Sequence, residues 1–412
     1  MKSFSTRGET IPSSPIRKLA PMAAKAAAEG IKIYHLNIGQ PDLPTPKKAI
    51  DAVRNIARET LEYSPSQGIA SLREKMSGFY RRHGIDVNPD EIIVTTGGSE
   101  AVLFTFMAVL NPGDEVIITE PAYANYISFS MLAGAVVKPV TTRIEDGFAL
   151  PPVEEIEKLI GPKTKALLIC NPNNPTGYIY SPEEMEKIRQ LTMRNDIFLI
   201  ADEVYSDFNF SGREYVSAMH LKDIEQNVVM VDSMSKRYSE CGIRIGAIVT
   251  KNERLRQILM KFCQARLSPP LLGQIVAEAS IEGTEEYSRE VFEEYRERRD
   301  FFIKGLNAIP GVYSPQPQGA FYTIASLPVE DAEDFCKWCL TDFRYRDEVD
   351  PGVDAQGRPY RGETIMMAPA AGFYSTPGMG RNQARLAYVL KTDDLARALK
   401  VLAKALEEYN AR

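Results

Sequence analysis

The sequence predicts an α/β protein with a large, doubly wound domain on a mostly parallel sheet, joined to a smaller α+β domain. Two observations lead to this prediction. Between about residues 90 and 250, short runs rich in Val and Ile alternate with helical patterns. The runs also lack the strict polar–apolar alternation of half-exposed strands, which is typical of strands buried on both faces of a parallel sheet.

Six runs are predicted to be strands of this sheet: EIIVTT, EVIIT, ALLIC, IFLIAD, VVMVD and GAIVT. The helix SPEEMEKIRQL has a clear start, because Ser181 can cap it and Pro182 fits its first turn. Glu184 then completes a capping box. The pattern SLREKMSGFYRRHG predicts a second helix that begins with a capping box of Ser71 and Glu74.

The C-terminal third of the chain predicts a second unit. Residues 285–308, EEYSREVFEEYRERRDFFIKGLNA, read as one long charged helix that could connect two domains. Beyond it, AFYTIASLP, ARLAYVL and a final helix after Thr392 predict an α+β segment. We therefore assign residues 49–295 to the large, cofactor-binding domain, and residues 1–48 and 296–412 to a small domain with an N-terminal arm.

Composition excludes several classes of protein. The 412 residues carry a net charge of −6, so no basic surface for nucleic acid is indicated. No apolar stretch is long enough to cross a membrane, and the first twenty residues lack the apolar core of a secretory signal, which favours the cytoplasm. Cys336 and Cys339 form a CxxC motif inside a helical pattern, but the three histidines are remote in sequence. No metal or redox site is predicted.

Polar residues follow several of the predicted strands, and ligands of open α/β sheets bind at the carboxyl ends of strands. VTTGGSEAVLF places Gly97, Gly98 and Ser99 before an apolar helix, where free N–H groups would favour an anion. The same glycines suit a plain tight turn equally well. CNPNNPTG places Asn174 after the run ALLIC, either in an ordinary turn or as a rigidly held amide.

Two further strand ends carry charged residues. FLIADEVYSDF places Asp202 after four apolar residues and Tyr205 three positions later. A desolvated carboxylate needs a cation or several donors, unless Asp202 only caps a following helix.

The segment SMSKRYSECGIRIG follows the strand NVVMVD. It brings two hydroxyls, a lysine and an arginine to that strand end: Ser233, Ser235, Lys236 and Arg244. Partial desolvation at a strand end favours the neutral amine of a lysine, which can then act as a nucleophile and form imines. Most lysines are solvated surface charges, so Lys236 by itself predicts little.

Together these residues predict one ligand with four chemical features. The residues that suit a phosphate are Gly98, Ser99, Ser233, Ser235 and Arg244. Asp202 suits a basic ring nitrogen, and Lys236 suits an aldehyde. Asn174 and Tyr205 suit a ring oxygen. Pyridoxal phosphate has all four features.

The ordered series NPTG, DEVY, SMSK and GIRIG resembles the fold type I, class I aminotransferases of the aspartate aminotransferase group. The resemblance runs from LNIGQPDLPTP to ARLAYVLKTDD. It implies a pyridoxal-phosphate-dependent transaminase that moves an amino group from an amino acid, with aspartate favoured, to a 2-oxo acid such as 2-oxoglutarate. Lys236 resembles the family's cofactor-binding lysine and proton shuttle, and Asp202 resembles the partner of the pyridine nitrogen.

The same resemblance implies roles for other residues. Asn174 and Tyr205 match the partners of the ring hydroxyl oxygen, and Tyr123, in EPAYANY, matches the aromatic that stacks on the ring. Arg385, in ARLAY, matches the arginine that binds the substrate α-carboxylate. Gly39, in NIGQPD, matches the backbone group beside that carboxylate, and Asn174 is also expected to contact the substrate.

Tyr63, in LEYSPSQG, matches a tyrosine that reaches the phosphate of a neighbouring subunit. The resemblance therefore implies a homodimer with shared active sites, whereas the local pattern alone suggests a surface aromatic.

Two departures from the family pattern leave the donor open. Ser99 stands where some bacterial aspartate enzymes have a lysine that binds the side-chain carboxylate, and the exposed excursion predicted at residues 350–362 is longer than expected. Arg17 or Arg266 could bind such a carboxylate instead. Aromatic amino acids are the second candidate donors, and a C–S lyase or decarboxylase on the same scaffold is the alternative activity.

Overall fold

The computed structural model describes residues 3–412. Within these residues the strands are β1 (Ile31–His35), β2 (Ile92–Thr95), β3 (Glu115–Glu120), β4 (Val136–Thr141), β5 (Thr164–Cys170), β6 (Phe198–Asp202), β7 (Val228–Ser233), β8 (Gly246–Val249), β9 (Tyr322–Ser326), β10 (Gly362–Met366), β11 (Ala368–Pro369) and β12 (Gln383–Ala387).

The helices of the same residues are α1 (Thr6–Thr10), α2 (Ala20–Ala28), α3 (Lys47–Arg54), α4 (Ala70–Arg82), α5 (Gly97–Val109), α6 (Asn125–Ala133), α7 (Val153–Glu157), α8 (Pro182–Asn195), α9 (Met234–Arg237), α10 (Glu253–Arg266), α11 (Leu271–Ile281), α12 (Glu285–Asn307), α13 (Ala332–Thr341) and α14 (Thr392–Asn410).

A seven-stranded sheet with the order β2-β8-β7-β6-β5-β3-β4 forms the centre of the larger part. Only β8 runs antiparallel to its neighbours. All six predicted strands are present, and the predicted fold class is confirmed. Strand β4 was not predicted, because Lys138 and Pro139 interrupt its apolar run. A proline is tolerated there because β4 is an edge strand.

The strands lack polar alternation because both faces of the sheet are covered. Successive side chains of β3 enter different cores: Ile117 packs with Leu167 on one face, and Val116 packs with Leu168 on the other. Helices cover both faces, so apolar residues stabilise the strand at every position.

The predicted helix starts have different outcomes. Ser181 caps α8: its Oγ accepts from the Glu184 amide at 3.2 Å, and the Glu184 carboxylate accepts from the Ser181 amide at 2.7 Å. The capping box predicted at Ser71 and Glu74 is wrong. Helix α4 begins at Ala70, and the Ser71 hydroxyl donates instead to Glu278 on α11 at 3.0 Å.

The smaller part contains a parallel pair, β1-β10, and an antiparallel sheet of order β11-β12-β9. Helix α12 confirms the predicted long helix, and its inner face is buried through Tyr295 and Phe302. Residue 295 lies inside the continuous helix α12, so no break in the chain marks a boundary there. The division into domains at residues 49 and 295 stays a prediction. The segment 350–362 is largely exposed and is held by a bridge between Val353 and Pro359.

The remaining sequence features are also visible. Cys336 and Cys339 are buried, free thiols on α13, as the helical pattern predicted. Among residues 3–412, no cluster of His, Cys, Asp and Glu is arranged to hold a metal ion. None of the helices in this range is both long and apolar enough to span a membrane.

Candidate active site

The carboxyl ends of β2, β7, β6 and β5 bring the predicted residues to one edge of the central sheet. Asp202 ends β6 and pairs with Cys170 of β5 on one side and Val231 of β7 on the other. Ser233 ends β7. Gly97 starts α5 just after β2, and β2 lies beside β8 in the sheet. Residues far apart in sequence therefore surround one point, as expected for a ligand site in a doubly wound fold.

Two glycines and an arginine form a close-packed cradle at the start of α5. A Cβ atom on Gly97 would lie 2.5 Å from an Arg244 guanidinium nitrogen, and one on Gly246 would lie 2.7 Å from the Gly98 nitrogen. Gly97 has a φ of 76° and a Cβ on Gly246 would meet backbone atoms, so glycine is required at both positions. Arg244 is exposed, its Nη1 donates to the Cys241 carbonyl at 3.0 Å, and no carboxylate of residues 3–412 pairs with it.

Hydroxyls complete this cradle. The Ser233 hydroxyl donates to Ser235 Oγ at 3.0 Å and lies 3.1 Å from the Ile245 carbonyl oxygen. Ser99 is half-buried in the first turn of α5. Helix amides, hydroxyls and an unpaired guanidinium together form an anion site.

Asp202 is 6% exposed at the end of β6. The Tyr126 hydroxyl donates to one of its oxygens at 2.5 Å, and the Val204 amide donates to the other at 3.3 Å. Burial raises the pKa of Asp202 to about 6. The chain after Asp202 forms a turn and not a helix, so a capping role is excluded. Within residues 3–412 the carboxyl has no cationic partner, which suits a basic nitrogen supplied by a ligand.

Lys236 and Arg237 are adjacent on α9 but have different environments. The buried Arg237 guanidinium binds Asp207 at 2.5 Å and Asp232 at 3.2 Å. Lys236 has no acidic partner among the described residues, and its Nζ donates to the Gly39 carbonyl at 2.8 Å and to Cys241 Sγ at 3.5 Å. Arg237 therefore anchors α9, while the Lys236 amine is available for chemistry.

Arg385 is a buried cation that lacks a carboxylate partner in the described chain. It is 1% exposed, its Nη1 donates to Asn174 Oδ1 at 3.1 Å, and its Nη2 donates to the Asn37 carbonyl. Its Nε is buried and makes no hydrogen bond. Burial lowers the pKa of Arg385. A buried guanidinium with a free donor fits the carboxylate of a substrate.

A chain of hydroxyls joins these groups. The Asn174 amide donates to the Tyr205 hydroxyl at 3.4 Å, and the Tyr205 and Tyr322 hydroxyls are 3.0 Å apart. Tyr322 also donates to the Gly39 carbonyl at 3.2 Å. A Cβ atom on Gly39 would lie 1.7 Å from the Tyr322 hydroxyl, so this position accepts only glycine.

Tyr123 lies beside the arginines of the site. Burial raises its pKa to about 12, while the positive charges of Arg385 and Arg17 act in the opposite direction. Arg17 is exposed on the N-terminal arm, and the neighbouring Ile16 carbonyl accepts from the Asn37 side chain at 2.9 Å. Arg266 is instead paired with Glu100 at 3.4 Å. Arg17 therefore lies on the Tyr123 side of the site, whereas Arg266 lies near the start of α5 and donates to the Val94 carbonyl at 3.3 Å.

Two site residues were missed by sequence reasoning, and one predicted residue is absent from the cluster. Tyr126 and Tyr322 were not assigned, because nothing in their local sequence shows that they reach Asp202 and Tyr205. Tyr63 is 78% exposed in a polar turn and joins none of the groups described above within its own chain.

The fold and the site define a pyridoxal-phosphate enzyme. The cradle that a Cβ atom would fill, the buried Asp202 carboxyl and the unpaired Arg385 Nε fit the cofactor and a carboxylate substrate. The chain belongs to the family described as aminotransferase class I and II, whose model matches residues 31–347. The protein is accordingly a transaminase that uses pyridoxal phosphate.

Relatives of known name agree with this assignment. The chain is 29% identical to the aspartate/prephenate aminotransferase of Thermus thermophilus, over 98% of this chain and 99% of the relative. It is similar to the structure of the aspartate aminotransferase from Thermus thermophilus with maleate, with a TM-score of 0.86, 28% identity and coverage of 98% and 100%. The alanine aminotransferase from Pyrococcus furiosus gives the same values.

Proposed function

We propose that the protein transfers the amino group of aspartate to a 2-oxo acid such as 2-oxoglutarate. The observation that carries the transfer between an amino acid and a 2-oxo acid is the buried Arg385, whose Nε has no partner and is free for the carboxylate that both substrates share. Amino acids and 2-oxo acids share the α-carboxylate and differ at the neighbouring carbon. One arginine can therefore bind the substrate of each half of the reaction.

The anion cradle would hold the cofactor phosphate through these residues: Gly98, Ser99, Ser233, Ser235 and Arg244. Asp202 would bind the ring nitrogen, and Asn174 and Tyr205 would bind the ring hydroxyl oxygen. Tyr123 would stack on the ring. When bound, pyridoxal phosphate supplies an electron sink that stabilises negative charge at the substrate α-carbon.

Four residues would then handle the substrate and its proton. Lys236 would join the cofactor covalently and carry a proton through its Nζ. The Gly39 carbonyl, 2.8 Å from Nζ, holds that amine when it is free. Arg385 would bind the α-carboxylate with Asn174 beside it, and this orients the α-hydrogen toward the lysine.

The preference for aspartate would come from Arg17. Its charge acts on Tyr123, next to Arg385, and no side chain of residues 3–412 pairs with it. The similar Thermus thermophilus structure was solved with maleate, a dicarboxylate. A second cation near Arg385 is the feature that a dicarboxylic donor requires, and Ser99 would not supply one.

We expect Arg17→Ala to raise the KM for aspartate by about two- to fivefold, because an exposed charge pair contributes up to about 1 kcal/mol. The KM for alanine, which lacks a side-chain carboxylate, should stay unchanged. Steady-state kinetics with a panel of amino donors measure both values. Arg266→Ala is the matched control. Equal losses with aspartate and alanine, or a wild-type preference for aromatic donors, would contradict the aspartate assignment.

We also propose that the protein is a homodimer with shared active sites. Exposed apolar side chains surround Tyr63 on contacting segments: Ile50, Val53, Leu61, Leu267 and Leu272. Helix α3 packs on α11, and the Ser66 hydroxyl donates to the Leu267 carbonyl at 2.6 Å, so these segments form one surface. A patch of this kind marks an interface, and a two-fold axis would bring Tyr63 to the partner's phosphate cradle.

Mixed dimers test this arrangement. Homodimers of Lys236→Ala chains should be nearly inactive. Homodimers of Tyr63→Phe chains should be impaired. In the hybrid, one site contains both changes and the other contains neither, so activity should rise to about half that of a wild-type dimer. Activity of purified hybrids, separated by different affinity tags, is the measurement. Hybrids that show only the mean of the two homodimers would place Tyr63 in its own subunit's site.

We propose a cytoplasmic location because the cysteines are free thiols. All five cysteines are free thiols, and Cys241 lies beside Lys236. Free thiols persist in a reducing compartment.

A further inference from the structure

Tyr322 contacts three groups that have proposed roles in catalysis. Its hydroxyl lies 3.0 Å from the Tyr205 hydroxyl and donates to the Gly39 carbonyl at 3.2 Å. The Lys236 amine donates to that same carbonyl at 2.8 Å. The Arg385 guanidinium carbon lies 4.5 Å from the centre of the Tyr322 ring. Tyr322 is 2% exposed, so water does not substitute for these contacts.

The two tyrosine hydroxyls have two protons between them and can direct them in two ways. In one arrangement Tyr205 donates to Tyr322, and Tyr322 donates to Gly39. In the other, Tyr322 donates to Tyr205, and Tyr205 donates outward to a ligand. Rotation of the two hydroxyl hydrogens interconverts them without moving any heavy atom, because a hydroxyl both donates and accepts.

The second arrangement is the one that the proposed role of Tyr205 requires. Tyr205 can donate to the ring oxygen of the cofactor and still be fully hydrogen-bonded only if a neighbour donates to it. Asn174 donates at 3.4 Å, which is a long hydrogen bond, whereas Tyr322 lies at 3.0 Å. Donation from Tyr322 would polarise Tyr205 and strengthen its own donation, since hydrogen bonds in a chain reinforce one another.

We propose that Tyr322 is a positioning residue with two separable functions. With the cofactor bound, its hydroxyl donates to Tyr205 and directs the Tyr205 proton toward the cofactor oxygen; without the cofactor, the same hydroxyl donates to the Gly39 carbonyl that holds the free Lys236 amine. Its ring supports the Arg385 guanidinium that binds the substrate carboxylate. This inference rests on the proposed function of Lys236, Tyr205 and Arg385.

Tyr322→Phe removes the hydroxyl and keeps the ring. We expect kcat to fall by about three- to tenfold, the size of one lost hydrogen bond, with KM for aspartate and alanine unchanged. The visible absorbance of the lysine-bound cofactor should change with pH at a midpoint shifted upward by about 0.5 to 1 pH unit. With a weaker donor, the ring oxygen keeps more negative charge and retains the shared proton to higher pH.

Tyr322→Leu removes the ring as well. This variant should show the same absorbance shift and, in addition, a KM for both donors raised by about tenfold, because Arg385 loses its aromatic support. The control is Tyr388→Phe, which removes a buried hydroxyl that donates to the Ala320 carbonyl at 3.2 Å and makes no hydrogen bond to Tyr205, Gly39 or Lys236. Its absorbance midpoint and kcat should match those of the wild type.

An unshifted absorbance midpoint in Tyr322→Phe would overturn the inference, even if kcat fell. A fall in thermal stability of Tyr322→Phe equal to that of Tyr388→Phe, with unchanged kinetics, would also overturn it. The proposed function fails by a different result, which is turnover by Lys236→Ala.

Discussion

Lys236→Ala is expected to abolish transamination while leaving the fold intact. Proton transfer by a positioned side chain contributes about 10²–10⁴-fold to a rate, and the covalent link to the cofactor is lost as well. The Lys236 amine has no acidic partner in the described chain, so its removal breaks no ion pair. Steady-state activity with aspartate and thermal unfolding are the two measurements.

Two controls sharpen this experiment. Lys236→Arg keeps a positive charge but cannot form an imine or release a proton at neutral pH, so it should be as inactive as the alanine variant. Lys163→Ala, at an exposed position before β5, should keep full activity. Wild-type-like turnover by either Lys236 variant would refute the role of Lys236 and the transaminase site built around it.

Arg385→Ala is expected to lower kcat/KM by about 10²–10³-fold for aspartate, alanine and 2-oxoglutarate alike. Loss of a buried, hydrogen-bonded charge contact costs about 2–5 kcal/mol of binding. Arg385 meets no carboxylate in residues 3–412, so its burial is not offset by an ion pair. The temperature of unfolding without substrate should therefore stay the same or rise.

Arg298→Ala is the matched control for a buried arginine with partners. Arg298 is 2% exposed and pairs with Asp42 at 2.6 Å and Glu294 at 2.7 Å. Its removal should destabilise the protein by about 2 kcal/mol, because both carboxylates are partly exposed and recover some solvation. Substrate binding should be unaffected. A loss at Arg385 restricted to aspartate would mean that Arg385 binds the side chain and Arg17 the α-carboxylate.

The burial of Asp202, whose pKa is about 6, suits a carboxyl that binds the protonated ring nitrogen of the cofactor. Burial raises that pKa, and a bound ring nitrogen would supply the cation that the described residues lack. The bond from Tyr126 favours the ionised form and acts against burial. Asp202 would therefore be fully ionised once the cofactor is bound, and the ionised carboxylate would keep the ring nitrogen protonated.

Much of the site was predictable from sequence because its residues lie at the ends of strands. A strand end is a local feature: an apolar run stops, and a polar residue follows. Asp202, Ser233 and Lys236 were found in this way, and Gly97 was found from the turn before α5. In a parallel sheet these ends meet at one edge by topology alone, so local patterns were enough to place them together.

Contacts between distant residues were decided only by the tertiary structure. Tyr126 and Asp202 are 76 positions apart, and Tyr205 and Tyr322 are 117 positions apart. The local sequence predicted Ser71 as a helix cap, but its hydroxyl donates to Glu278, which is 207 positions away. No periodicity or spacing records which side chains meet across such separations.

The sequence by itself determined the fold class and the cofactor, since these follow from local patterns and from resemblance to a family. The tertiary structure decided which charges are left without partners. The local sequence does not distinguish Arg17, Arg237, Arg266 and Arg385, but packing pairs Arg237 with the buried Asp232 and Arg266 with the partly exposed Glu100. Arg385 is buried alone. Whether a charge is neutralised depends on distance and solvent exposure, and both exist only after the chain has folded.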